Sequence, residues 1–121
     1  MLHILVVDDE PAIRLLCRVN LQADGMSVDE AWDSESAMEA AKARRPDAVV
    51  LDVMLPGDDG FAVAAMLRAE PGLEDVPIVL LTARADLDGS ELVRRSGAAG
   101  VMTKPFNPVD LSRRLRELML P

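Results

Sequence analysis

The sequence predicts one α/β domain, a (βα)₅ arrangement in which five short strands form a parallel sheet between two layers of helices. Short runs rich in β-branched residues alternate with longer segments that have helical apolar spacing, and this alternation is typical of βαβ units. The 121 residues suffice for a single core and leave no room for a second one. We therefore expect one domain over residues 1–121.

Three strands and two helices are predicted in the first half of the chain. The strands span residues 2–7, 26–31 and 48–52, and the helices span 11–23 and 34 to the stop at Arg44-Arg45-Pro46. Asp24-Gly25 closes the first helix. Asp33 or Ser34 can cap the second helix, although counting from Ser34 shows no full capping box. The second strand has the weakest apolar alternation, which favours a position at the sheet edge.

Two strands and three helices follow in the second half. The strands are predicted over residues 78–82 and 100–103, and the helices over 61–69, 87–96 and from 108 onward. Pro71-Gly72 and Gly97 end the first two of these helices. The last helix has Asn107 as its cap, Pro108 in its first turn and Asp110 near the positive end of the helix dipole.

The composition argues against several classes of function. A net charge of −8 disfavours direct binding to nucleic acid, because phosphate backbones attract basic surfaces. No apolar run approaches the roughly 18 residues that a membrane span requires, and the first strand runs into three acidic residues, unlike a signal peptide. We therefore expect a cytoplasmic protein. The single cysteine, Cys17, shares the predicted apolar face of the first helix with Ile13 and Leu16 and is expected in the core.

Reactive side chains follow four of the predicted strands. Asp8-Asp9 come after the first strand, Asp52 and Thr82 end the third and fourth, and Lys104 follows the fifth. We expect the sheet to bring them together, since ligands of open parallel sheets bind where the strands end. The three carboxylates would repel one another without a cation, and Mg²⁺ is a hard ion that prefers oxygen ligands. A Mg²⁺ site at this edge is our interpretation.

The same residues suit phosphoryl transfer to an aspartate. An ionised Asp52 carboxylate can attack phosphorus without a general base and form an aspartyl phosphate. Mg²⁺, Lys104 and the Thr82 hydroxyl would stabilise the charge on the phosphoryl oxygens. The only histidine, His3, lies within the first strand and is not expected to take part. We expect a signalling switch that catalyses only its own phosphorylation and dephosphorylation, and no turnover enzyme.

Four motifs carry a resemblance to a known family: Leu5-Val6-Val7-Asp8-Asp9-Glu10, Leu51-Asp52-Val53-Met54-Leu55-Pro56-Gly57-x-x-Gly60, Leu81-Thr82-Ala83 and Lys104-Pro105-Phe106. Over its whole length the chain resembles the receiver domain of bacterial two-component response regulators, which includes the chemotaxis regulator. The resemblance implies a flavodoxin-like, doubly wound sheet with strand order 2-1-3-4-5. It also implies that Asp52 receives its phosphoryl group from a sensor histidine kinase, a histidine phosphotransfer protein or a small phosphodonor.

The resemblance also implies roles for individual residues. Asp9, Asp52 and the Met54 backbone carbonyl would ligate Mg²⁺ directly, whereas Asp8 would act largely through water. A cis peptide bond before Pro105 would aim the preceding lysine at the phosphate.

Side chains near the site should set how long the phosphoryl group lasts. Met54 and Arg84 lie two residues past Asp52 and Thr82 and are expected to flank the path of water to phosphorus. Ala83, which directly follows Thr82, is expected to influence the same lifetime. We predict a phosphoryl lifetime longer than a few seconds.

One departure from the family concerns the switch. Family members have an aromatic side chain three residues before the lysine, which turns inward as the hydroxyl of the strand-four residue moves toward phosphate. This chain has Val101 there, which cannot swing in that way. We expect the face made by helix four, strand five and helix five to change with smaller amplitude and to bind an output protein or output domain. Ala99 and Gly100 replace acidic residues that pair across a dimer in many DNA-binding members, which disfavours that dimer and leaves a monomer or another phosphorylation-promoted dimer.

Two rival functions use similar residues. A haloacid-dehalogenase-type phosphatase also uses an aspartate and Mg²⁺, but its nucleophile follows the first strand and it normally carries a cap domain. A flavodoxin-like flavin module stacks aromatic residues on the ring, and this chain has no tyrosine and one tryptophan. Both rivals are therefore disfavoured. Whether the receiver stands alone or is the N-terminal receiver of a longer regulator stays open.

Overall fold

The computed structural model of the protein describes residues 1–55, 57–83 and 89–119, and for Asp58 the backbone alone. Five parallel strands form one sheet, and its order, β2-β1-β3-β4-β5, confirms the predicted topology. The strands are β1 His3–Val7, β2 Ser27–Ala31, β3 Ala48–Asp52, β4 Ile78–Thr82 and β5 Gly100–Thr103. As its weak alternation indicated, β2 lies at an edge.

In the part of the chain that the structure describes, five helices pack against this sheet: α1 Pro11–Ala23, α2 Ser34–Ala43, α3 Gly60–Ala69, α4 Gly89–Ser96 and α5 Pro108–Met119. Their bounds agree closely with the predicted ones, and the predicted start of the fourth helix at Leu87 lies outside the described residues. Asn107 caps α5 as expected, since its Oδ1 accepts a hydrogen bond of 2.9 Å from the Val109 N–H. Within the described ranges, no helix is both long and apolar enough to cross a bilayer.

The core has two layers, one on each face of the sheet. Successive residues of a strand point to opposite faces, so Leu5 of β1 packs in one layer and Ile4 in the other. The first layer contains buried residues of α2, α3 and α4, and the second contains those of α1 and α5. Because β1, β3 and β4 are buried along their whole length, packing on both faces fixes where their carboxyl ends lie.

The buried face of α1 differs in part from the prediction. Cys17 is fully buried as expected, and burial raises the pKa of its thiol to about 12. Leu16, however, is 38% exposed, and Leu21 is the other residue of α1 that is fully buried with Cys17. The prediction for Leu16 was wrong because the face of α1 that meets α5 and the sheet is centred on Cys17 and Leu21, which leaves Leu16 at its border.

The start of α2 corrects a second expectation. Asp33 is the cap, and its Oδ1 accepts a hydrogen bond of 2.8 Å from the Ser36 N–H, while the Asp33 N–H donates to the Ser36 Oγ at 3.1 Å. These reciprocal bonds form a full capping box. The sequence reasoning missed it because it counted three residues from Ser34 and not from Asp33.

The loop after β3 is held in place by Gly60. A Cβ atom on this glycine would lie 2.6 Å from the Val53 Cα, closer than two carbon atoms can approach. The Gly60 N–H donates to the Val53 carbonyl at 2.9 Å. A short antiparallel pair, Met54–Leu55 with Asp58–Asp59, closes the loop. The end of β3 and the start of α3 are therefore joined through backbone contacts.

Candidate functional site

The sheet brings the predicted acidic residues together. β1 pairs with β3 in parallel, so Asp8 and Asp9 after β1 lie beside Asp52 at the end of β3. Each of the three carboxylates offers one oxygen within 4.8 Å of the others. Asp8 and Asp52 are 0% and 4% exposed, whereas Asp9 is more open to solvent. The site thus has a buried base and an open side.

Lys104 reaches into this cluster from the end of β5. Its Nζ lies 2.7 Å from Asp8 Oδ2, 3.2 Å from Asp52 Oδ2 and 3.6 Å from Glu10 Oε1. The Lys104 N–H donates to the Thr82 carbonyl at 2.7 Å, which joins the lysine to β4. The Lys104–Pro105 peptide bond is cis, in agreement with the resemblance.

Burial and neighbouring charges shift the pKa values of Asp52 and Lys104. Burial raises the pKa of Asp52, and the negative charge of Asp8 adds to it, whereas the Met54 N–H bond of 2.9 Å and Lys104 act in the opposite direction. Burial alone would lower the pKa of Lys104, but hydrogen bonds and charges from Asp8 and Asp52 outweigh it, so this pKa is raised. Lys104 therefore stays protonated at neutral pH, while the ionised form of Asp52 is held at some cost.

The cluster has the properties of a divalent cation site. Its donors are carboxylate oxygens, the ligand type that Mg²⁺ prefers. Among the described residues, the buried Asp8 Oδ2 has the Lys104 ammonium at 2.7 Å as its partner and no further donor. One lysine cannot balance Asp8, Asp9 and Asp52. A divalent cation would bind to these carboxylate oxygens and would balance the remaining negative charge.

The other predicted site residues differ in how far their side chains are exposed to solvent. Thr82 is 2% exposed at the end of β4, which pairs with β3 on one side and β5 on the other. The Met54 side chain is 57% exposed. Val101 is half-buried on β5 and packs against the core. Arg84 lies outside the described residues, so its expected place beside the phosphoryl group stays a prediction.

Two residues near the site escaped the sequence reasoning. Glu10 donates its N–H to Asp8 Oδ1 at 2.9 Å and places its carboxylate near Lys104. Arg14 donates to the Asp8 backbone carbonyl at 2.8 Å. The available signals were weak: Glu10 directly follows the acidic pair, and Arg14 lies one helical turn further on.

Comparisons with known sequences agree with this geometry. The family model of the response regulator receiver domain matches residues 4–116. The DNA-binding response regulator MtrA of Mycolicibacterium smegmatis is 42% identical over 114 residues, which are 94% of this chain and 49% of that protein. The alkaline phosphatase synthesis transcriptional regulatory protein PhoP of Bacillus subtilis is 40% identical over 116 residues, 96% of this chain and 48% of that protein. The chain spans about half the length of the curated relatives it matches.

Solved structures share the same fold. The Vibrio cholerae chemotaxis protein CheY4 has a TM-score of 0.90 and 31% identity, and the match covers 98% of both chains. The receiver domain of the sensor histidine kinase PA1611 of Pseudomonas aeruginosa has a TM-score of 0.86 and 31% identity, and covers 98% of this chain and 97% of that chain. The latter structure has a magnesium ion coordinated in its active site cleft.

Proposed function

The chain belongs to the family of response regulator receiver domains, the signalling domains of two-component systems, and on this premise we propose that Asp52 is its phosphoryl acceptor. The observation that carries the proposal is the place of this carboxylate. It is buried at the end of β3, accepts the Met54 N–H, and lies 3.2 Å from Lys104 within a cluster that includes Asp8 and Asp9.

Receiver domains of this family bind Mg²⁺ at an acidic site, and the donor set of this chain fits that ion. We assign Asp9, Asp52 and the Met54 carbonyl as direct ligands, with Asp8 acting through water. Bound Mg²⁺ would offset negative charge on the carboxylates and on the phosphoryl oxygens. The backbone contacts of Gly60 support the ligand loop, because they fix the residues that follow β3.

In the proposed reaction an Asp52 carboxylate oxygen attacks the phosphorus of a phosphohistidine. A P–O bond forms, the P–N bond breaks, and its electron pair returns to the imidazole. No base is needed, because the attacking carboxylate is already ionised. Lys104, held protonated by its acidic neighbours, then pairs with a phosphoryl oxygen, and the Thr82 hydroxyl donates to another. Hydrolysis of the acyl phosphate returns the domain to its starting state, at a rate set by Met54, Ala83 and Arg84.

The readout we propose is the face formed by α4, β5 and α5. Thr82 ends the strand that pairs with β5, so a movement of its hydroxyl toward phosphate changes the space next to Val101. A valine has no aromatic ring to turn inward, and the expected change is correspondingly small.

The proposed partners follow from family membership. A sensor histidine kinase or a histidine phosphotransfer protein would supply the phosphoryl group to a single receiver domain over residues 1–121. An output protein or output domain would bind the α4, β5 and α5 face, in a monomer or a phosphorylation-promoted dimer. With a net charge of −8, this domain is not the part that would bind nucleic acid.

The decisive test is intact mass spectrometry after treatment with acetyl phosphate and Mg²⁺. We expect one phosphoryl adduct on the wild type and none on Asp52→Asn, which keeps the size of the side chain and removes the nucleophile. An equal adduct on both proteins would contradict the assignment of Asp52. In the same sample, NMR amide shifts should extend to α4, β5 and α5, and shifts confined to the Asp52 loop would rule out the proposed readout face.

A further inference from the structure

The side chain of Arg14 in α1 contacts three other residues near the acidic cluster. Its Nη1 donates to the Asp8 backbone carbonyl at 2.8 Å, and its Nε donates to Glu30 Oε1 of β2 at 3.2 Å. The guanidinium carbon lies 5.8 Å from the centre of the Trp32 ring. The Arg14 side chain is only 16% exposed. These contacts leave the guanidinium group little freedom to move.

The carbonyl that Arg14 holds belongs to the peptide unit between Asp8 and Asp9. Because a peptide unit is planar, fixing its oxygen fixes the orientation of the backbone segment from which the Asp8 and Asp9 side chains extend. The Asp8 N–H is held independently by the Ala31 carbonyl at 3.0 Å. Both backbone groups of Asp8 are thus bonded to residues outside the acidic cluster.

The rigid donor geometry of an arginine suits the two contacts of Arg14, to the Asp8 carbonyl and to the Glu30 carboxylate. The guanidinium group is a rigid planar fork with several donors, whereas a lysine ammonium is a single point at the end of a flexible chain. Glu30 is fixed in turn by Arg18, whose Nη1 donates to its Oε2 at 2.8 Å. Arg14 and Arg18 therefore share an acidic partner, but among the described contacts only Arg14 touches Asp8.

We propose that Arg14 is a positioning residue for the cation site, which presets the Asp8-Asp9 peptide so that both carboxylates face the ion. The inference rests on the proposed Mg²⁺ site. Charge and positioning predict opposite effects for this residue. As a positive charge, Arg14 repels a cation, and its removal would strengthen Mg²⁺ binding. As a positioning residue, it holds the ligands in place, and its removal weakens binding.

The test is isothermal titration calorimetry with MgCl₂ on the wild type, Arg14→Met, Arg14→Lys and Arg18→Met. We expect the Mg²⁺ dissociation constant to rise about 10-fold in both Arg14 variants, the lower end of what loss of a residue supporting a metal ligand produces. Arg14→Lys keeps the charge and loses the fork. Arg18→Met removes the same charge from the same glutamate and should change the constant less than about twofold.

The outcomes separate this inference from the function it rests on. Mg²⁺ binding to Arg14→Met as tight as to the wild type, or tighter, overturns the positioning role, as does equal weakening in Arg18→Met. Wild-type protein that binds no Mg²⁺ overturns the proposed site and the inference together. A general loss of stability does not imitate the expected result, because the dissociation constant is measured on folded protein, as checked by circular dichroism well below the melting temperature. Should Arg14→Met not fold, Arg14→Lys decides the matter alone.

Discussion

The two ends of the sheet bury polar groups in opposite ways. At the amino end, His3 is 3% exposed, and its ring nitrogens lie 2.7 Å from Ser27 Oγ and 2.8 Å from Asp29 Oδ2. An imidazole with its proton on Nε2 satisfies both, accepting from the serine and donating to the aspartate. The His3 N–H also donates to Asp47 Oδ2 at 2.7 Å. The backbone N–H and both ring nitrogens of His3 therefore have hydrogen-bond partners.

At the carboxyl end, two buried carboxylates, Asp8 and Asp52, carry like charge. Asp8 and Asp52 lie with Asp9 around one lysine, and burial with charge repulsion raises the pKa of Asp52. The buried polar groups are therefore matched at one end of the sheet, whereas at the other end, in the candidate site, the ionised form of Asp52 is held at some cost. His3, the only histidine, lies at the end away from the candidate site.

The largest expected effect is at the amino end. His3→Phe keeps a ring of similar size but leaves Ser27 and Asp29 without their imidazole partner, so we expect a loss of about 2 kcal/mol in the free energy of unfolding. Urea denaturation followed by circular dichroism measures it. Mg²⁺ affinity is the internal control and should not change. A change in Mg²⁺ affinity would show that the two ends of the sheet are energetically coupled.

Asp52→Asn should have the opposite effect on the free energy of unfolding and should stabilise the protein. A raised pKa means that folding disfavours the ionised carboxylate, so the neutral amide should increase the free energy of unfolding at pH 7 without Mg²⁺, by on the order of 1 kcal/mol. In the wild type this cost is present only above the ordinary carboxyl pKa of 3.8. The gain from the amide should therefore shrink as the pH falls toward that value, which melting curves over a pH series would measure.

Asp47→Asn is the matched control, since it removes one carboxylate at the amino end. Asp47 accepts the His3 N–H, and its backbone N–H donates to the His3 carbonyl at 2.7 Å, so no gain is expected. A similar gain in both variants would attribute the effect to the net charge of the whole chain and not to the acidic cluster.

The smallest effect concerns Lys104. Its ammonium group lies 2.7 Å from Asp8 and competes with a cation for the same oxygens, so Lys104→Met should lower the Mg²⁺ dissociation constant by roughly threefold. The same variant should accept the phosphoryl group from acetyl phosphate more slowly, because a charge on the phosphoryl oxygens loses its partner. Calorimetry and intact mass spectrometry measure the two effects. Weaker Mg²⁺ binding would mean that the lysine supports the site and does not compete for it.

Most of the fold was predictable from the sequence. The strand run Ala48–Asp52 is short and apolar, with Pro46 before it and Pro56-Gly57 after it, and such boundaries are local features of the sequence. The parallel topology then implied that Asp8, Asp9 and Asp52 meet. The strand order needed the resemblance, because local patterns do not determine which strands are neighbours.

The parts that escaped prediction depend on three-dimensional contacts. Arg14 appears in the sequence as an ordinary polar residue of an amphipathic helix, and nothing local shows that its guanidinium reaches the Asp8 carbonyl. The exposure of Leu16 depends on which face of α1 meets α5 and the sheet. The capping box at Asp33, by contrast, is a local feature that was predictable, and it was missed because the count began at Ser34.

The close approach of Gly60 to Val53 constrains how this chain can diverge. Every amino acid except glycine carries a Cβ, so no substitution can replace Gly60 without moving the backbone of Asp52 and Val53. Gly57 in the same turn has a φ of +72° and open space around it, so a replacement there costs backbone strain alone. Descendants of this sequence can therefore vary position 57 at the tip of the loop, while position 60 at its base keeps glycine.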